Sequence, residues 1–161
     1  MTKCDKFVIA ELAEILARFQ LNVKQVEINH EIPGSFWGES EAGLIGQTLY
    51  VSEDTPLHSA LHEACHYICM DQQRRNKLHT DAAGDYDEEN AVCYLQILLS
   101  DHFSMSSKAQ LMQEMDEWGY TFRLGTAKNW FEKDAIDAQI WLIKDQVIDN
   151  NDQILWQLRH N

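Results

Sequence analysis

The hydrophobic pattern of the first hundred residues predicts three amphipathic helices. Residues 5–20 carry an apolar side chain at every third or fourth position, which is the spacing that lines one face of a helix. The same spacing recurs in residues 56–70, where Thr55 suits the N-cap and Pro56 the first helical position. A third stripe of this kind runs through residues 85–99. Each helix is therefore expected to bury its apolar face against a core.

Between the first two helices, the pattern changes to one that is typical of short strands. Apolar and polar residues alternate in residues 22–28, and residues 47–51 form another short strand that leads into the second helix. Pro33 and Gly34 mark a turn, and residues 35–43 fit either a strand or a loop. This region predicts a small sheet whose strands are mostly antiparallel.

Helical spacing returns in the C-terminal third of the chain. One helix is predicted from Ser106 or Ser107 to Gly119, and a long helix is predicted to begin at Thr126 and to run past residue 140. Residues 154–158 predict a last, short helix. The end of the chain is therefore expected to be almost entirely helical.

Together these elements predict an α+β fold in two parts. In residues 1–104, an N-terminal helix and a small sheet would pack on two further helices, and residues 105–161 would form a helical extension packed on that core. A chain of 161 residues is long enough to build such a core without disulfides or other staples.

Composition narrows the classes of function. The formal net charge of −13 disfavours binding to nucleic acid, which depends on Lys and Arg, and it disfavours anionic membrane surfaces as well. No apolar run reaches the 18 or so residues of a membrane-spanning helix. The four cysteines include no C-x-x-C pair, and the N-terminus does not read as a secretory signal. These features predict a cytoplasmic protein with reduced thiols.

Two histidines and a glutamate in the second helix form a candidate metal site. His62, Glu63 and His66 read as H-E-x-x-H, in which the histidines ligate zinc and the glutamate is a general base. Residues four apart lie on the same face of a helix, so both imidazoles reach one ion, while Glu63 lies about 100° further round. His58, one turn before His62, is either a neighbour of this site or an ordinary residue of the first turn.

A third ligand is expected from the helix that begins near Asp85. Glu88 lies four residues before Val92, on the apolar face, where a carboxylate is costly to bury unless a partner such as a metal ion is present. Glu88 also fits a capping role together with Asp85. The neighbouring Glu89, on a more polar face, is the alternative ligand. We predict that Glu88 completes a site for one zinc ion.

Residues 5–100 resemble the gluzincin group of metallopeptidases and, more closely, the ImmA/IrrE family. The resemblance is carried by the H-E-x-x-H motif, by the strand that leads into it, and by a later pattern of E-x-x-A, an aromatic residue and a Leu-Leu pair that starts at Glu88. It implies a zincin-like fold, with His62, His66 and Glu88 as zinc ligands and Glu63 as the catalytic base.

The resemblance also implies a function, a zinc-dependent peptidase that cleaves a cytosolic protein such as a regulator. A zinc-bound water would attack the peptide carbonyl while Glu63 accepts its proton. A further donor to the developing oxyanion is usual in such sites. The sequence leaves five candidates for it: Tyr67, Tyr86, His102, Tyr120 and Arg123. The alternative function is a non-catalytic zinc-binding module of the same fold that senses or binds a partner protein.

Overall fold

The computed structural model describes residues 1–35, 40–79 and 83–160, and these contain seven helices and a three-stranded sheet. The strands are β1 Asn22–Gln25, β2 Gly43–Ile45 and β3 Thr48–Val51. The helices are α1 Lys6–Ala17, α2 Leu57–Cys69, α3 Gln72–Arg75, α4 Tyr86–Ser100, α5 Lys108–Trp118, α6 Ala127–Lys133 and α7 Ile136–Lys144. The predicted α+β class is confirmed. Within the described ranges, no helix combines the length and apolarity that spanning a membrane requires.

The three predicted helices of the N-terminal part are present. In α1, the side chain of Asp5 caps the helix by accepting a hydrogen bond from the backbone N–H of Val8 at 2.9 Å. The predicted apolar face of α1 is buried. The start of α2 differs from the prediction, because Pro56 is the N-cap and the hydroxyl of Thr55 accepts a hydrogen bond from Ser52 N–H instead. The capping role predicted for Asp85 is present at the start of α4.

The sheet is mixed, which corrects the expectation of mostly antiparallel strands. β2 and β3 pair antiparallel across a tight turn at Gly46, which has a φ of 58°. β1 pairs with the other edge of β3 and runs parallel to it, giving the order β1-β3-β2. Residues 26–42 connect β1 to β2 and leave room for the chain to reverse before the hairpin begins. β3 then leads directly towards α2, so the sheet fixes where that helix starts.

The core lies mainly between α2 and α4, which pack against each other. On its other side α2 contacts β2 and β3, so that almost every residue of this helix is buried. α7 packs against α4 from the far side. The two helices that were predicted to carry the metal ligands are therefore the central pair of the fold.

The C-terminal part is less helical than predicted. α5 agrees with the prediction, since Ser107 caps its start and Gly119 ends it with a left-handed φ of 110°. The predicted long helix is broken in two near Asp134. The prediction of a last helix in residues 154–158 is wrong, because this segment is non-helical. Before it, the Asp149 carboxylate accepts backbone hydrogen bonds that form a turn.

Candidate metal centre

α2 and α4 bring two imidazoles and one carboxylate together at the surface of the core. The Nε2 atoms of His62 and His66 lie 3.2 Å apart. Each also lies 3.1 Å from one carboxylate oxygen of Glu89, on the facing side of α4. Among the described residues, this is the group of histidine, cysteine and acidic side chains that lies close enough to hold a metal ion.

The spacing of these donors suits a small tetrahedral ion. Zinc binds imidazole nitrogen and carboxylate oxygen at about 2.0–2.2 Å, so ligand atoms around it are separated by about 3.3–3.5 Å. The shortest separations between the three side chains, 3.1, 3.1 and 3.2 Å, are close to that value, and each imidazole faces a different oxygen of Glu89. Two nitrogens and one oxygen also form a donor set that zinc accepts in catalytic sites, where three protein ligands leave a fourth position open.

Glu88, which the sequence predicted as the third ligand, lies outside this group. Its side chain is only 6% exposed, and one of its oxygens lies 2.5 Å from Arg74 Nη2 and 3.3 Å from Arg159 Nη1. A methyl group at Gly84, where φ is 106°, would collide with the other oxygen. The buried charge of Glu88 is thus compensated by two arginines. Glu89, the alternative ligand, holds the position beside the histidines.

A glutamine behind the site fixes the orientation of His62. Gln96 is fully buried, and its amide nitrogen donates to the backbone carbonyl of His58 at 2.8 Å. A carbonyl can only accept, so the amide oxygen of Gln96 must face His62 Nδ1, which lies 3.0 Å away. His62 therefore carries a proton on Nδ1, and its Nε2 faces a carboxylate oxygen of Glu89 at 3.1 Å. Burial favours the neutral ring, but contacts with Tyr120, Cys93 and Glu89 raise the pKa of His62, so without a metal ion Nε2 holds a second proton that donates to Glu89. A bound metal ion would take the place of this proton.

The charge of Glu89 also suits a metal ligand. Burial favours the neutral form of Glu89, but its contacts with His62 and His66 hold the pKa of this carboxyl well below its usual range. Glu89 is therefore an anion at neutral pH, as a metal ligand must be. Within the described part of the chain, His66 Nδ1 is buried and has no hydrogen-bond partner, so the second imidazole lacks the support that Gln96 gives the first.

Replacing Gln96 with leucine is expected to lower zinc affinity about 10–100-fold, because His62 loses the acceptor that fixes its tautomer and ring orientation. Competition with a chromogenic chelator measures the affinity. Gln113→Leu, an exposed position on α5, is the matched control and should leave it unchanged. Equal zinc affinity in both variants would contradict the role assigned to Gln96.

A cavity of about 350 Å³ opens beside the three donors. Glu63 lines it together with His62 and Glu89, and the opposite side is formed by Trp118 and Tyr120, which follow from the end of α5. Burial raises the pKa of Glu63, in spite of the two histidines nearby. Burial likewise raises the pKa of Tyr120 to about 12, so its hydroxyl stays protonated at neutral pH. The C-terminal part of the chain thus forms one wall of the cavity.

No protein-family model, no curated protein and no solved structure matches this chain.

The structure also gives the positions of His58 and of the five residues that the sequence offered as oxyanion donors. Tyr120 lies at the cavity, whereas Tyr86 and Arg123 line a different groove near α7, and His102 packs on Trp156. Tyr67 is buried in the core. His58 lies outside the three-donor group, and its Nδ1 is 3.1 Å from the hydroxyl of Tyr120. It is a neighbour of the site and not one of the three clustered donors.

Two residues that the sequence did not single out support the metal helix from behind. Arg75 donates to the carbonyl oxygens of Tyr67 and Met70 at the end of α2. Arg159, near the end of the described chain, donates from its backbone to Ile68 and from its side chain to Cys69. Carbonyl groups that the helix itself leaves without partners are satisfied in this way. The helix that carries both histidines is therefore held at its C-terminal end by two arginines.

Proposed function

We propose that this protein is a zinc-dependent peptidase with a zincin-like fold. The observation that carries the proposal is the set of two imidazoles and one carboxylate, spaced 3.1–3.2 Å apart at a cavity that a second glutamate, Glu63, also lines. His62, His66 and Glu89 would hold the ion. Zinc bound there would lower the pKa of water and polarise a carbonyl oxygen.

Glu63 is the residue that would move the proton. It follows His62 directly on α2, and its carboxylate faces the cavity instead of joining the three donors. The raised pKa brings this carboxyl closer to the neutral range, in which a general base both accepts and returns a proton efficiently. Glu63 would take a proton from the attacking water and deliver it to the amine that leaves.

Tyr120 is our candidate for the donor to the oxyanion. Burial lowers the pKa of His58 to about 4, so this ring is neutral and carries one proton. Its buried Nε2 has no partner in the described residues, and a buried lone pair without a partner is less costly than a buried N–H. The proton therefore belongs on Nδ1, which donates to the oxygen of Tyr120. The hydroxyl of Tyr120 is then left to donate into the cavity, towards a carbonyl oxygen of the substrate.

The proposed substrate is a protein or peptide in the cytoplasm. All four cysteines are buried and free, in agreement with a reducing compartment. Structural zinc sites are closed by four protein ligands, whereas the donors here line an open cavity. An open cavity can admit an extended peptide chain.

Elemental analysis and peptide digestion test this proposal together. We expect one zinc ion per chain, and we expect hydrolysis of a proteome-derived peptide library that stops on removal of zinc by a chelator and returns when zinc is restored. The new N-termini are identified by mass spectrometry. A protein without bound zinc, or hydrolysis that survives chelation, would contradict the proposal. Bound zinc without hydrolysis would instead support the non-catalytic module.

A further inference from the structure

Glu41, which lines the same cavity, is held in a fixed orientation. One carboxylate oxygen accepts a hydrogen bond from Ser59 Oγ at 3.0 Å, and the other accepts one from Trp118 Nε1 at 3.2 Å. Ser59 is only 2% exposed, and its hydroxyl also accepts a hydrogen bond from the backbone N–H of Ala42. The carboxylate of Glu41 is therefore anchored by residues of two helices, α2 and α5.

Both of these hydrogen-bond donors are neutral, so the charge of Glu41 is not compensated by them. No lysine or arginine from the described ranges lines the cavity, although Glu63 and Glu89 add two more carboxylates to it. A zinc ion would compensate Glu89, but Ser59 lies one helical turn before Glu63, which is about 5 Å along the helix axis. Glu41 thus remains an oriented anion outside the three clustered donors, and a cation is the ligand that it favours.

An aromatic ring lies next to this carboxylate. The indole of Trp118 is fixed by its hydrogen bond to Glu41 and by packing on the ring of His58, with centroids 4.9 Å apart, and yet 44% of the residue stays exposed. An exposed aromatic face beside an anion suits ammonium and guanidinium groups, because the ring attracts the same charge that the carboxylate does. A tryptophan at the mouth of a cavity also offers apolar contact to the stem of a long side chain.

We infer that Glu41 and Trp118 form a subsite for a cationic group of the substrate, an ammonium or guanidinium carried by a residue next to the cleaved bond. The inference rests on the proposed function in taking this cavity as the substrate cleft. One helical turn separates the subsite from Glu63, and about the same length is spanned by one to two residues of an extended peptide. The net charge of −13 adds long-range attraction for cationic substrates.

Two pairs of peptides test this subsite and separate its two sources of positive charge. Acetyl-Arg-Ala-amide is compared with acetyl-citrulline-Ala-amide, which has the same shape without the charge, and Ala-Ala-amide is compared with acetyl-Ala-Ala-amide. Binding is measured by calorimetry in the zinc-loaded, full-length Glu63→Gln protein, so that no peptide is consumed. We expect the charged member of at least one pair to bind about tenfold tighter, and the pair that responds tells whether a side chain or an α-ammonium is recognised.

The Glu41→Gln change, made in the same protein, should reduce that preference to twofold or less, because the glutamine fills the same space without the charge. Trp118→Phe removes the N–H anchor and keeps a ring, and a loss of about two- to fivefold is expected. Glu117→Gln removes an exposed charge on α5 outside the cavity and should change nothing. Equal binding within both pairs, or a preference that Glu41→Gln leaves intact, would overturn the inference.

This outcome is separable from that of the peptidase proposal, since binding requires no turnover. A charge preference in a protein whose wild-type form hydrolyses nothing would contradict the peptidase proposal alone. Hydrolysis without any charge preference would contradict the subsite alone.

Discussion

Replacing Glu89 with glutamine is expected to weaken zinc binding by about 100-fold or more, because the site loses its only anionic donor and keeps two neutral imidazoles. The side chain of Glu89 is 47% exposed and forms no ion pair with an arginine of the described ranges, so the fold itself should tolerate the change. Competition with a chelator gives the zinc affinity, and urea unfolding of the metal-free protein gives the stability.

Glu88→Gln is the matched control, since it makes the same chemical change one residue earlier on the same helix. Zinc affinity should stay within about threefold of that of the wild type. The free energy of unfolding should fall by about 2 kcal/mol, because Arg74 and Arg159, which are 27% and 25% exposed, lose the carboxylate that they share. The opposite pattern, with zinc lost in Glu88→Gln and kept in Glu89→Gln, would overturn our assignment of the third donor.

The choice between these two glutamates shows where sequence reasoning reaches its limit. The apolar stripe of α4 correctly predicted that Glu88 is buried, and burial of a carboxylate correctly required a positive partner. The sequence could not tell which partner it is. Arg74 and Arg159 lie 14 and 71 residues away, and only the tertiary fold brings them to Glu88. A metal ion and a pair of arginines would both compensate the buried negative charge of Glu88.

A signal for Glu89 was nevertheless present in the sequence. Glu89 and Gln96 are seven residues apart, which is two helical turns, so they share one face of α4. In the sequence this face is the more polar one of the helix. In the structure Gln96 is fully buried and reaches His62. A polar face that is buried marks a site more specifically than one acid on an apolar face does, but its burial becomes visible only once α2 and α4 are packed together.

The parts of the fold that the sequence predicts depend on residues that are close together in the chain, and the parts that it misses depend on contacts between distant segments. The helices α1, α2, α4 and α5 follow from spacing and caps that lie within a few residues, such as Asp5 and Gly119. The parallel pairing of β1 with β3 joins segments more than twenty residues apart, and no local pattern encodes its direction. The sequence could not select Tyr120 from the five candidate donors, because Tyr120 meets His58 only across 62 residues of chain.

Glu63→Gln is expected to lower the rate of peptide hydrolysis by about 10²–10⁴-fold while zinc stays bound, because a glutamine of the same size accepts no proton. Glu63 lies outside the three clustered donors, so zinc affinity should stay within about threefold. The rate is measured as kcat/KM on the peptide that the library digestion identifies as cleaved best. Glu117→Gln, at an exposed position on α5, serves as the control and should keep full activity.

The stability of the same variant carries independent information about Glu63. Burial raises the pKa of this carboxyl, which means that the folded protein disfavours its charged form relative to the unfolded chain. At pH 7, above the ordinary pKa of a glutamate, this shift opposes folding, and removing the ionisable group should leave the metal-free protein at least as stable as the wild type. A base that is kept at a cost to stability is typical of a residue retained for its chemistry. A Glu63→Gln protein that unfolds more easily, or that retains more than a tenth of the activity, would contradict the role of Glu63 as the base.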